Sequence, residues 1–354
     1  MNKPDFTNNS FTGNDFAKSG LLEHGGKLRQ AASHYGIALD EWLDLSTGIN
    51  PNGWQKALPP MSTWVRLPED EDGLYDAACA YYTAQDLLPV AGSQAAIQAL
   101  PKLYAQCSVA VLAPSYNEHA HAWLRAGHHV DLIRAEQLHT AIDHHDVVVV
   151  VNPNNPTGVC FDVAMLLDWH QRLAARGGCL IVDEAFMDCT PANSLAAYSD
   201  KDGLIVLRSL GKFFGLAGAR VGFVLAAKKQ LRALAQELGP WTINGPARWL
   251  ATQALEDRTW QTTARKQLKQ QSHRLYTVLS DARLTPDGGS HLFQSIATTQ
   301  AAIIHQQLAG QGILTRLFET PARLRFGLPA NEQEWQRLQQ ALRALDVPLA
   351  ELSA

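Results

Sequence analysis

No stretch of eighteen apolar residues occurs in this 354-residue chain, so a membrane-spanning helix is not expected. Blocks of lysine or arginine are missing too, and the net charge is −4. Nothing in that balance argues for a nucleic-acid partner or an anionic membrane surface. Cysteine is scarce: Cys79, Cys107, Cys160, Cys179 and Cys189 form an odd, widely spaced set without a CxxC pair. Such a set excludes a disulfide framework and reads as reduced thiols, small buried hydrophobes rather than nucleophiles, in an intracellular protein. Residues 1–20 are polar, contain no apolar h-region, and read as a loosely attached arm. A cytoplasmic protein is the expectation.

The chain that remains is 46% hydrophobic and 18% charged, long enough for two domains, with small soluble molecules as the default partners. From about residue 70 to 226 strand and helix patterns alternate. Val109–Leu112, Val130–Ile133, Val147–Val151, Cys179–Val182 and Leu204–Leu207 are apolar runs of strand length, and helical patterns separate them. Val147–Val151 is all β-branched, as in a parallel strand buried on both faces. Polar residues cluster where these strands end: Pro114-Ser115-Tyr116, Asn152-Pro-Asn-Asn-Pro-Thr-Gly158 and Asp183-Glu184. Open α/β sheets bind their ligands at that edge. Beyond residue 230 the pattern is mostly helical, with a long candidate from Pro246 to Ala282, then short strands and helices of a smaller α+β domain. The expected division is an arm over 1–50 joining the small domain, a large domain over 51–230, and a small domain over 231–354.

The segment Arg208-Ser-Leu-Gly-Lys-Phe-Phe-Gly-Leu-Ala-Gly-Ala-Arg-Val-Gly-Phe223 follows a buried-strand pattern yet carries four glycines, Lys212 and Arg220. A tight turn could bring the Ser209 hydroxyl and the Arg220 guanidinium onto one phosphate, with the Lys212 amine facing the same ligand. A lysine crowded by cations has a lowered pKa and can form a Schiff base. Taken alone, the segment reads rather as a Gly-rich connection between strands with solvated charges. Gly92-Ser93-Gln94 opens a helix pattern, and helix amino termini take phosphates. Near the N-terminus, Glu23-His-Gly-Gly26 suggests a backbone passing close to something, and Leu43–Gly53 is a short strand entering a turn-rich loop. Gly48 and Asn50 could offer donors to an acid group there, or belong to an ordinary loop. His119, His121, His128, His129, His144 and His145 have zinc-like spacings, but no Cys or carboxylate cluster accompanies them, and they read as ordinary helix and loop histidines.

In residue type, order and spacing, Ser93, Gln94, Tyr116, Asn155, Asp183, Ser209, Lys212 and Arg220 resemble the pyridoxal-phosphate enzymes of fold type I, the aspartate aminotransferase superfamily. The resemblance covers nearly the whole chain. It implies a large domain with a mostly parallel sheet plus a smaller α+β domain, pyridoxal 5'-phosphate as cofactor, and a homodimer. It implies Lys212 as the Schiff-base lysine, Asp183 as partner of the pyridine nitrogen, Asn155 as donor to the ring oxygen and Tyr116 as the stacking aromatic. Ser93, Gln94, Ser209 and Arg220 would hold the phosphate.

Within the superfamily, His24-Gly25-Gly26, Trp42-Leu-Asp-Leu-Ser-Thr-Gly-Ile-Asn-Pro51 and Leu324-Arg-Phe-Gly-Leu-Pro329 look like the threonine-phosphate decarboxylases of cobalamin biosynthesis. Next in likeness are the histidinol-phosphate aminotransferases. The first implies a carboxy-lyase acting on a phosphorylated amino acid; the second implies transamination. A non-catalytic relative that keeps the fold is the reading of another class. His24 and the first loop would bind the substrate's phosphate or carboxylate, and a late arginine its carboxylate: Arg325 by counting from Asn331-Glu332, or Arg323 two residues earlier on the same strand face. Three positions depart from common family patterns. Phe186 stands where many relatives have a tyrosine, Leu67 where the aminotransferases have one, and Gly211 where a serine often precedes the lysine.

Overall fold

Five consecutive valines, Val147–Val151, have no polar face, and a strand of that kind is stable only with apolar layers on both sides. In the computed structural model it lies inside a seven-stranded sheet, none of its residues more than 3% exposed. Residues 25–346 are described. The strands of this sheet are β1 (Leu87–Val90), β2 (Ser108–Leu112), β3 (His129–Ile133), β4 (Val147–Val151), β5 (Cys179–Asp183), β6 (Leu204–Ser209) and β7 (Gly222–Ala226), in the spatial order β1-β7-β6-β5-β4-β2-β3. β2 to β6 are parallel, while β7 runs antiparallel to both β6 and β1. The fold is α/β with a mostly parallel sheet, as the alternation of patterns implies.

The longer helices of this unit are α1 (Leu74–Tyr82), α2 (Ser93–Ala99), α3 (Glu118–Arg125), α4 (Val163–Ala174), α5 (Lys228–Leu238) and α6 (Gly245–Glu256). Ile97, Trp123 and Leu234 share one apolar core with Val109, Val149, Ile181, Ile205 and Val224 of the sheet. Side-chain caps set two of the helix starts. Asp162 accepts from Met165 N at 2.7 Å before α4, and Asn244 from Ala247 N at 2.9 Å before α6.

One strand goes unread in the sequence, and two expectations need correction. β1 was not legible as a strand because of Pro89, which is tolerated at the sheet edge that β1 occupies. The long helix expected from Pro246 to Ala282 breaks at Asp257, whose carboxylate accepts from Trp54 Nε1 at 3.0 Å and pairs with Lys56 at 2.7 Å. The boundary expected at residue 230 falls at 258. α5 packs on β1, β7 and α2, and α6 on α1, so both belong with the sheet. One unit thus comprises residues 54–155 and 159–258; the other comprises 25–53, 156–158 and 259–346.

The second unit contains α7 (Arg258–Asp281), from its second residue onward, followed by β8 (Gly288–Ser290), β9 (Phe293–Ala297), α8 (Ala301–Gly310), β10 (Arg316–Phe318), β11 (Arg323–Gly327) and α9 (Glu332–Arg343). Its four-stranded sheet has the order β10-β11-β9-β8 and is antiparallel throughout. Leu43–Asp44 pairs in parallel with Ile313–Leu314. The helix Leu28–Tyr35 rests through Leu28, Ala31 and Tyr35 on Trp42, Ala309 and Leu314. What the paired glycines approach is Ser46: a Cβ at Gly25 would sit 2.5 Å from its carbonyl oxygen, and Gly26 N donates to its Oγ at 2.9 Å.

Candidate active site

β5 ends on Asp183 and β6 on Ser209, and the chain leaves β4 through residues 152–158 and β2 through Pro114–Tyr116. The parallel strands therefore deliver these residues to one edge of the sheet, their carboxyl ends. Asp183 is 3% exposed. Its Oδ1 accepts from Ala185 N at 3.0 Å, and its Oδ2 lies 2.9 Å from Nε2 of His119, itself 2% exposed. The sequence reads His119 as an ordinary helix or loop histidine; the structure gives it this buried role instead. His128 and His145 are likewise spoken for, by Pro101 O at 2.9 Å and Ala141 O at 2.8 Å. Among the described residues, no group of three His, Cys, Asp or Glu side chains is placed to hold a metal. Of the cysteines read as buried, Cys179 and Cys189 are so; Cys160 is exposed and Cys79 and Cys107 are half-buried.

Ser93 and Gln94 begin α2, directly after Gly92 in the left-handed region at φ +72°. Glycine is required twice at this point. A Cβ on Gly92 would lie 2.5 Å from Arg220 Nη2, and one on Gly222 would lie 2.5 Å from Ser93 N. Gly222 also pairs in register with Ser209. The start of α2, Ser209 and Arg220 are thus brought close together, and backbone N–H groups, a hydroxyl and a guanidinium are donors of the kind a phosphate takes. The Gln94 side chain is engaged elsewhere: Nε2 donates to Glu118 Oε2 at 2.7 Å, and Oε1 accepts from Tyr116 Oη at 3.0 Å. Burial, with Glu118 and Asp183 nearby, pushes the Tyr116 phenol well up, against a smaller opposing pull from Arg220.

Lys212 is half-buried, with Nζ 5.4 Å from the centroid of the Phe186 ring. Asn155 sits in the turn after β4. That turn is tied down by Asn152, which exchanges hydrogen bonds with Phe161 at 3.1 and 2.8 Å, and by Asn154, which donates to Pro114 O at 2.9 Å. Behind Asp183 and Ser209 lies a buried ion cluster that sequence reasoning did not find. Arg208 donates from Nη1 to Glu184 at 2.6 Å and from Nη2 to Asp188, and stacks 4.6 Å above the Tyr82 ring.

The remaining sequence-derived candidates lie in the second unit, apart from His24, which is outside the described residues. Gly48 and Asn50 are buried, and Asn50 Oδ1 accepts from Asn52 N at 3.0 Å. Arg323 is gripped by Asp287 at 2.6 and 2.5 Å and by Ser295 at 3.0 Å. Arg325 donates to Ser46 O at 2.8 Å and lies 5.2 Å from the Phe293 ring centroid. Directly opposite Arg325, across the β10–β11 ladder, is Arg316. Burial first, and Arg316 second, lower the Arg325 pKa to about 9. Arg316 was missed because its significance lies in strand register, which a single strand does not reveal.

The model of the aminotransferase class I and II family matches residues 41–345. The chain belongs to this family. It is 56% identical to a threonine-phosphate decarboxylase from Pseudomonas aeruginosa, over 94% of this chain and 100% of the relative, and 40% identical to one from Sinorhizobium sp. over 93% and 100%. Among solved structures it resembles histidinol-phosphate aminotransferase from Sinorhizobium meliloti in complex with pyridoxal-5'-phosphate, with a TM-score of 0.79 at 18% identity, covering 97% of this chain and 100% of that one.

For a class I and II aminotransferase fold the donor set fits pyridoxal phosphate, the cofactor. Gly92 and Gly222, having no Cβ, let the Arg220 guanidinium and the Ser93 N–H come close to the end of the sheet, the donor types an anionic phosphate takes. A buried carboxylate, Asp183, suits a protonated pyridine nitrogen, and Lys212 is the one lysine in the glycine-rich segment that follows β6.

Proposed function

We propose that this chain decarboxylates L-threonine O-3-phosphate to the phosphate ester of 1-aminopropan-2-ol, in the cytoplasm, for cobalamin biosynthesis. The observation that carries the reading is an intact cofactor constellation in a chain so close, end to end, to threonine-phosphate decarboxylases. When bound, pyridoxal phosphate supplies the electron sink that accepts the pair released as CO₂ departs. The protein's own residues do the rest. Asp183, held by His119, would face the pyridine nitrogen, and Asn155 would donate to the ring oxygen without help from position 186, since Phe186 has no hydroxyl. The cradle of Ser93, the Gln94 backbone, Ser209 and Arg220 anchors the phosphate, and Tyr116 covers the ring. Lys212 Nζ holds the cofactor in the resting enzyme and returns a proton to the substrate Cα.

We assign the substrate's α-carboxylate to Arg325 rather than Arg323, because Arg323 is committed to Asp287. Arg316 supports the same end. Like charges directly opposite on a sheet repel, and a ligand carrying both a carboxylate and a phosphate relieves that repulsion. His24, Gly48 and Asn50 are assigned to the substrate's acid groups as well. A homodimer is part of the proposal. Leu58, Met61, Trp64, Val65 and Leu67 are all more than 60% exposed within one ten-residue stretch, the kind of patch that a second copy covers. The five cysteines are free thiols, in keeping with a reducing compartment.

The test is to incubate the purified holoenzyme with L-threonine O-3-phosphate, without any keto acid, and follow CO₂ and amine by mass spectrometry. Stoichiometric CO₂ is expected. Turnover only with histidinol phosphate and 2-oxoglutarate would replace the lyase by an aminotransferase.

A further inference from the structure

Glu118 opens α3 and is 8% exposed, an acidic side chain buried beside the phosphate cradle that the reaction itself does not use. Its Oε2 accepts two amide protons, from Gln94 Nε2 at 2.7 Å and from Gln98 Nε2 at 2.9 Å. A carboxylate only accepts, so both glutamines must present nitrogen to it. Gln94 Oε1 is thereby aimed the other way, and it is the atom that receives the Tyr116 hydroxyl at 3.0 Å. One buried carboxylate thus dictates the polarity of the whole chain of hydrogen bonds. The Tyr116 ring also meets His119 edge-on, with centroids 6.1 Å apart and planes at 81°, so it is fixed at its hydroxyl and along its side.

We propose that Glu118 is a positioning residue for the cofactor: through Gln94 it locks the orientation of Tyr116 over the pyridine ring. The proposal rests on the reading of Tyr116 as the aromatic that covers that ring. Glu118 acts through Gln94, two hydrogen bonds from Tyr116.

Glu118→Gln keeps the size of the side chain but gives it an NH₂, so three neighbouring amides no longer have a set polarity. In the holoenzyme this variant should weaken pyridoxal-phosphate binding about five- to tenfold, the worth of one hydrogen bond. It should also reduce the visible circular dichroism of the bound cofactor, while the thermal midpoint of the apo protein hardly moves. In a Tyr116→Phe background, where the relay is already cut, Glu118→Gln should add nothing to either readout. Equal effects in both backgrounds, or no effect on affinity and dichroism in the first, overturn the proposal. Should Glu118→Gln fail to fold, Tyr116→Phe alone decides: unchanged dichroism and affinity there refute the relay. A wild-type protein that does not bind pyridoxal phosphate at all overturns the cofactor reading, and the relay with it.

Discussion

Nε2 of His119 lies 2.9 Å from Oδ2 of Asp183, and both side chains are almost wholly withdrawn from water. A buried carboxylate oxygen that loses its partner costs about 1–3 kcal/mol. His119→Leu should therefore lower the stability of the protein by about that amount and loosen pyridoxal phosphate, whereas His119→Asn, which keeps a donor, should recover part of both. Thermal unfolding of the holoenzyme and equilibrium dialysis of the cofactor read the two effects separately.

Lys212→Ala should abolish the cofactor's covalent absorbance band and reduce turnover by at least ~10²–10⁴-fold, the range for a positioned proton-transfer group. Because the side chain is only half-buried, the apo variant should unfold at nearly the wild-type temperature. Normal turnover in the variant would remove Lys212 from the mechanism.

The Arg208 cluster sets one cation against two carboxylates, all three 1% exposed or less. Arg208→Met leaves Glu184 and Asp188 facing each other in the dry interior and should cost about 3–5 kcal/mol. Glu184→Gln leaves a one-to-one pair and should cost much less. Burial raises the Glu184 carboxyl above its ordinary 4.5, against smaller lowering effects from Arg208, Leu195 N–H and Ser194. A group raised on folding adds stability below its unfolded value and loses it as pH climbs through its folded value. The stability of wild type relative to Glu184→Gln should therefore fall as pH rises from about 4.5, which urea unfolding at pH 5 and pH 7 would measure.

Arg325→Ala should raise KM about 10- to 100-fold, the worth of a charged hydrogen bond, with a smaller change in kcat. Arg323→Ala should act on stability instead, by about 1 kcal/mol or less because Asp287 is partly solvated. Steady-state kinetics beside thermal melts separate the two, and a KM effect at Arg323 alone would reverse the assignment.

Strand-end chemistry was legible in the sequence because it repeats a simple pattern: an apolar run, then a polar residue at a ligand-facing edge. Asp183, Ser209, Asn155 and Tyr116 all obey it. His119 and Glu118 do not, since a buried histidine or glutamate in the first turn of a helix has the same spacing as an exposed one. Only the fold shows that α3 turns that turn toward Asp183 and Gln94. Arg208 was hidden for a related reason, as a charged residue inside an apolar strand that is tolerable only with Glu184 and Asp188 brought alongside. Pro89 concealed β1, and Asp257 broke a helix pattern that runs on without interruption. Both are decided by tertiary partners, the sheet edge in one case and Trp54 and Lys56 in the other.

The phosphate cradle proposed above depends on Gly92 and Gly222, two residues with nothing to show beyond their main chain. A search for this site by side-chain templates would find Asp183 and Lys212 and pass over the surface that decides whether an anion fits. Engineering meets the same limit from the other side: these positions cannot be enlarged to tune affinity for a larger or smaller phosphorylated cofactor, because even alanine at Gly222 would collide with Ser93 N and at Gly92 with Arg220. The adjustable part of the cradle is its rim, Ser209 and Arg220, and redesign of cofactor preference would have to begin there.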